Sequence, residues 1–268
     1  MKLGIVGGGM MAEAIASRLL LLNVYAPEEV LVSEPNRERQ ALWRDRYSTQ
    51  VTDDNVMVME AASVVLLAVK PQILPLVSAA IESTKPPEDG QTIVSILAGV
   101  PLAKLEACFP GRSVVRVMPN TPATVGAGVS ALSWGRDVTD ADREMARQLL
   151  GAVGEVVEVS ESQLDAVTGL SGSGPGYVAT IVEALIDGGV AVGLSRAIAT
   201  KLAVQTVLGT GRLLAETETH PAVLKDRVTS PGGTTIAGIA ALEAAGLRSA
   251  LISAVQAATA RSRELGQG

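Results

Sequence analysis

Much is missing from this chain of 268 residues, and each absence removes a class of function. There is one cysteine, Cys108, so no internal disulfide framework is available. Its surroundings read as those of a small buried apolar residue. There is one histidine, His220, which excludes a His-rich metal site. Lying just before Pro221, it reads as a helix cap or turn residue. Aromatic residues make up only 2%, too few to build stacking platforms for single-stranded nucleic acid. The formal net charge is −6, the wrong sign for a phosphate backbone, so no nucleic-acid partner is expected. No apolar run reaches the roughly 18 to 20 residues of a membrane helix, and Met1-Lys2 leads straight into a strand-like stretch with no secretory signal. A cytoplasmic protein without a membrane or metal partner is expected.

What is present is aliphatic. Hydrophobic residues make up 47%, and with so few aromatics the core must be built from Ala, Val, Leu and Ile. The first half alternates short β-branched runs with amphipathic stretches. Strands are expected at Leu3 to Val6, Val30 to Ser33, Ser63 to Val69, Thr92 to Leu97, Ser113 to Met118, Val129 to Trp134 and Glu155 to Val159. SVVLLAV, at 63–69, is uninterrupted in the manner of a strand buried on both faces. Helices are expected over Met10 to Leu22, Asn36 to Arg46, Pro101 to Cys108 and Asp140 to Leu150. This alternation predicts a parallel α/β sheet with right-handed crossovers. After about Ser160 the β-rich runs stop, and the rest is Ala- and Leu-rich helix. Breaks are expected at SGSGPG (171–176), Gly188-Gly189, His220-Pro221, SPGG (230–233) and Gly246. The boundary is placed near Glu161, giving domains 1–161 and 162–268. Ala197 to Leu208 and Ser249 to Ala260 are apolar almost all round, and such helices must be buried. About a hundred residues offer little interior for them, so an obligate, interlocked dimer is expected.

Candidate ligand loops sit at the ends of these elements. Gly7-Gly8-Gly9-Met10-Met11-Ala12 carries G-x-G-x-x-A between a strand and a helix. Gly7 permits the tight turn, Gly9 lets a pyrophosphate approach the backbone, and Ala12 lets the helix pack on the sheet. Amides at the helix start, with its dipole, favour the phosphates. Where the second strand ends, Glu34 could accept from a free ribose 2′-hydroxyl, favouring NADH. Arg37 and Arg39 could instead meet a 2′-phosphate, favouring NADPH. Lys70, at the end of the SVVLLAV strand, and Asn120, in the MPNTP loop, fall on the same sheet edge. In the second half, Ser230, Gly232, Gly233, Thr234 and Thr235 lead into an apolar helix, where free amides and hydroxyls make a carboxylate receptor. The same residues would also serve as an ordinary N-cap.

Taken together, GGGMMAEAI, LLAVKPQ, VMPNTPA, DAVTGLSGSGPGYV, HPAVLKDRVTSPGGTTIAGI and the late A-x-x-R-S-R-E-L resemble the pyrroline-5-carboxylate reductase family over essentially the whole chain. The resemblance implies an α/β Rossmann-like N-terminal domain followed by an all-α dimerisation domain, in interlocked homodimers often assembled into decamers. It implies hydride transfer from NADPH or NADH to a small imino acid, giving L-proline. Carried over by position, Val6, Gly7, Gly8, Gly9, Met10, Met11, Glu34, Asn55, Ala68, Val69, Lys70, Pro71 and Asn120 fall at cofactor contacts. Glu218, Ser230, Gly232, Gly233, Thr234 and Thr235 fall in the substrate region, with Thr235 catalytic. Two alternatives remain: a related reductase of another cyclic imine or of a 3-hydroxy acid, and, more distantly, a non-catalytic nucleotide-binding protein. A 3-hydroxy-acid enzyme would need a lysine base early in the second domain, and Leu164 to Ser195 contains none.

Overall fold

The computed structural model describes residues 2–82 and 84–266. The elements run β1 (Leu3–Val6), α1 (Met10–Leu21), β2 (Val30–Ser33), α2 (Arg37–Tyr47), β3 (Gln50–Thr52), α3 (Asn55–Ala61), β4 (Val64–Leu67), α4 (Leu74–Ala80), β5 (Thr92–Ser95), α5 (Leu102–Cys108), β6 (Ser113–Met118), β7 (Gly128–Trp134), α6 (Asp140–Gly151) and β8 (Gly154–Glu158). Short α7 (Leu164–Val167) continues through a π-helical turn, Thr168–Gly172, towards α8 (Gly174–Ala191). Then come α9 (Arg196–Thr217), α10 (Pro221–Arg227), α11 (Thr234–Ala244) and α12 (Leu247–Gly266).

The chain forms two compact units, 1–173 with 257–268, and 174–256. The first holds an eight-stranded sheet in the order β3-β2-β1-β4-β5-β6-β7-β8. β1 to β6 pair in parallel, whereas β7 is antiparallel to β6 and β8 runs parallel to β7. The all-parallel expectation thus fails at β7. A parallel pair needs a crossover of a dozen or more residues, and residues 119–127 are too few. They turn back through a 3₁₀ segment, Thr121–Val125, closed by Gly126 at φ +73°.

Neighbouring residues of the central strands face opposite cores, which explains their unbroken apolar sequences. In β4, Leu66 packs with Ile15, Leu19 and Trp43 on one face, and Leu67 with Leu74, Leu105 and Phe109 on the other. Each such fully buried aliphatic side chain contributes about 2 kcal/mol. Gly4 of β1 serves close packing, for a Cβ there would lie 2.6 Å from Val58 of α3.

In the second unit α8 and α9 pack on one another. The break expected at Gly188-Gly189 is absent, since both lie inside α8. Gly189 is small for packing: a Cβ there would come within 3.0 Å of Ala199 on α9. Nor is SGSGPG an open loop, because its residues form the π-helical turn and the first turn of α8. His220 caps α10, its Nδ1 accepting from the Ala222 amide.

Candidate functional site

β1 has β2 on one side and β4 on the other, so its carboxyl end is the point where the strand order reverses. Ligands of open α/β sheets bind there. The glycine loop leaves β1 at this point. Gly7 takes φ +97° and lies so close to the end of β4 that a Cβ would sit 2.9 Å from Ala68 and Val69. Gly9 is the reverse case, with nothing within 4 Å of a Cβ position. It is the N-cap of α1, yet no side chain caps the helix, and among the described residues the Met10 and Met11 amides have no acceptor. In front lies a cleft of about 390 Å³ whose lining includes Gly9, Ser33, Glu34, Asp53, Asn55 and Lys70. An open glycine, uncapped amides and a nearby lysine fit a dinucleotide's pyrophosphate.

The ribose end of the cleft differs from a simple motif reading. Glu34 is only 8% exposed, and its Oε2 and Oε1 accept from the amides of Gly8 at 2.9 Å and Asn36 at 2.8 Å. Arg39 is also engaged: its Nε and Nη2 donate to the Gly8 carbonyl and its Nη1 pairs with Glu13 at 2.8 Å. Arg37, at the start of α2, is exposed and has no ion-pair partner among the described residues, whereas Arg39 is engaged. Ser33 donates to Asn55 Oδ1 at 2.7 Å, which leaves the Asn55 amide hydrogens for a ligand. Burial alone would raise the Glu13 pKa, but hydrogen bonds from Tyr47 and Arg39, with the charges of Arg39 and Arg46, hold it below the ordinary carboxylate range.

Not every residue named from the sequence is available to a ligand. Asn120 bridges two segments, accepting from the Val129 amide at 2.9 Å and donating to the Ser171 carbonyl at 3.2 Å. That carbonyl belongs to the π-helical turn, where Gly172 leaves room for Met118, 2.6 Å from a Cβ position. Val6 is fully buried at the end of β1, while Met10 is exposed. Lys70 is exposed, ahead of the 3₁₀ turn Pro71–Ile73. Asp53 and the Trp43 and Arg39 side chains at Gly8 went unread. β3 is too short and polar to stand out, and without it residues 53–55 had no place in the sheet.

In the second unit, Gly232 turns the chain at φ +65°, and Gly233, its amide bonded to the Ser230 carbonyl at 3.0 Å, is the N-cap of α11. A Cβ at Gly233 would strike Ser230 Oγ at 2.3 Å. No side chain caps α11, so the Thr234 and Thr235 amides remain open, and their hydroxyls have no partner among the described residues. The ordinary N-cap alternative is thereby removed. Glu218 stands at φ 50°, exposed at the carboxyl end of α9.

Sheet, glycine turn and uncapped helix start together define a dinucleotide-binding oxidoreductase architecture. Residues 2–99 match the family model described as NADP oxidoreductase, coenzyme F420-dependent, and residues 161–265 match that for pyrroline-5-carboxylate reductase dimerisation. The chain is 53% identical to the pyrroline-5-carboxylate reductase of Synechocystis over 99% of its own length and 98% of the relative's. It is 42% identical to that of Arabidopsis thaliana, over 99% and 96%. A solved pyrroline-5-carboxylate reductase from Coxiella burnetii superposes with a TM-score of 0.92 at 35% identity, over 98% of both chains. A pyrroline carboxylate reductase from Plasmodium falciparum, determined with NADP bound, gives 0.87 at 30% identity, over 99% and 98%. The chain belongs to the pyrroline-5-carboxylate reductase family.

Proposed function

We propose that the protein reduces the C=N bond of 1-pyrroline-5-carboxylate to give L-proline, the closing step of proline biosynthesis. The observation that carries this within the family is the uncapped start of α11, whose open amides and free threonine hydroxyls suit the carboxylate of a small imino acid. A reduced nicotinamide dinucleotide, when bound, supplies the hydride to the imine carbon. The ring nitrogen ends with one proton more than the neutral imine, so the substrate takes up two electrons and two hydrogens. A protonated imine is already a strong electrophile, and orientation matters more than a strong acid. The Thr234 and Thr235 amides hold the carboxylate. The Thr235 hydroxyl bonds the ring nitrogen and relays to it a proton drawn from solvent, and Glu218, Ser230, Gly232 and Gly233 shape the loop around it.

Gly7, Gly9, Met10, Met11, Asn55 and Ala68 to Pro71 form the cofactor side. Arg37, free where Arg39 is engaged, meets a 2′-phosphate, so NADPH is preferred to NADH. Residues 1–161 serve as the dinucleotide-binding domain and 162–268 as the dimerisation and substrate domain, in a cytoplasmic homodimer that assembles into decamers. The large apolar side chains exposed on the second unit support the homo-oligomer, and no single described helix is long and apolar enough to cross a membrane.

The test is oxidation of NADPH and of NADH, in parallel, with pyrroline-5-carboxylate as acceptor. Turnover is expected with both and faster with NADPH. Arg37→Ala should raise the NADPH KM about tenfold, in line with one lost charge-assisted contact, and leave that for NADH unchanged. Dinucleotide binding without turnover would defeat the substrate assignment.

A further inference from the structure

We infer that Glu34 is a positioning residue for the glycine loop and not the group that selects the ribose. This rests on the dinucleotide reading of the cleft. Both carboxylate oxygens already accept backbone amides, Gly8 at 2.9 Å and Asn36 at 2.8 Å. Its own main chain is fixed as well, the amide donating to the Thr52 carbonyl at 3.0 Å and the carbonyl accepting from Gln40 Nε2 at 2.6 Å. The other side of Gly8 is held just as firmly. Its carbonyl accepts from Trp43 Nε1 at 3.0 Å and from Arg39 Nε and Nη2 at 3.0 and 2.6 Å. Arg39 is braced in turn by Glu13, which accepts from the Tyr47 hydroxyl at 2.8 Å.

Two successive peptide planes are therefore gripped, one by a carboxylate and the next by a guanidinium and an indole. Charge-assisted bonds of this kind are the stronger class. Packing completes the grip, since a Cβ on Gly8 would lie 2.5 Å from Trp43 Nε1. One residue on, Gly9 faces open space. The grip turns the Gly8 amide away from the phosphate position and leaves the Met10 and Met11 amides facing it. Binding of the pyrophosphate, which NADPH and NADH share, is what Glu34 supports.

The experiment measures cofactor KM and kcat for the full chain with saturating pyrroline-5-carboxylate, beside direct titration of each dinucleotide without imine. Glu34→Gln keeps one acceptor oxygen but sets an NH₂ group against the second amide. The KM for NADPH and that for NADH should rise together, about tenfold each, with kcat at saturation within about twofold and the ratio of the two preserved. A rise for NADH alone, a fall for NADPH, or no change in either would overturn the assignment. Should Glu34→Gln fail to fold, Trp43→Phe removes the indole donor at the Gly8 carbonyl while keeping an aromatic ring in the buried site. A parallel rise then supports the grip, and unchanged values overturn it. Titration separates this from the substrate assignment: dissociation constants report on the grip even in a protein that does not turn over the imine.

Discussion

The two compact units solve the problem of burial in opposite ways. The sheet unit encloses its apolar residues in two clusters, one on each face of the strands. The helical unit is just as aliphatic, yet its only buried hydrophobic residues are Ala199 and Ala203. Val192, Leu202 and Ile252 lie 82%, 55% and 59% exposed. Helices with apolar residues on several faces cannot hide them all against one another in a unit of this size. A second copy supplies the missing interior, in keeping with the dimerisation model matched by residues 161–265. Core formation in the first unit is a property of one chain, and in the second of a pair.

The sharpest way to break this contrast is a charge on the exposed apolar face. Leu202→Glu should weaken self-association by about 4 kcal/mol, roughly a thousandfold, by leaving a carboxylate unpaired in an apolar interface. Sedimentation should then show monomers at concentrations where the parent is dimeric. Leu66→Ala, in the sheet, should cost about 3 kcal/mol of stability in denaturant titrations, with no change in self-association. Thr235→Ala divides the units by function: kcat/KM for the imine should fall about tenfold while dinucleotide affinity, measured by titration, stays put.

The smallest effect is one of pH. Burial would raise the Asp142 pKa, but hydrogen bonds from Thr92, Thr139 and Ser113 outweigh it and hold it below the ordinary range. A lowered folded-state pKa stabilises fully above the unfolded value of about 4, and the gain is lost as the pH falls through the lowered one. Melting temperature should therefore decline in that window, and less steeply in Asp142→Asn.

Strands buried on both faces were the easiest part of the chain to read, because burial leaves a continuous apolar trace, as in SVVLLAV. The short or polar elements were not. β3 is three residues long and partly exposed, and its loss left Asp53 unplaced. The reversal at β7 was not foreseen, since the pattern of apolar residues carries no strand direction. At the site, the glycine turn and the SPGGTT helix start were legible from small residues in a row. The engagement of Glu34 and Arg39 was not, for a carboxylate beside a cleft has the same spelling whichever way it points. The Gly188-Gly189 pair was misread because glycine marks close helix packing as well as chain breaks.

α12 begins in the helical unit and from Ala257 onward belongs to the sheet unit, where Ser262 Oγ donates to Asp165 at 2.7 Å and Gly266 lies against Gly99. The sheet unit is thus interrupted in sequence. On the ribosome this piece of α12 follows all of Gly174–Gln256, so a unit whose eight strands are already made gains a helical segment only after the helices between have been synthesised.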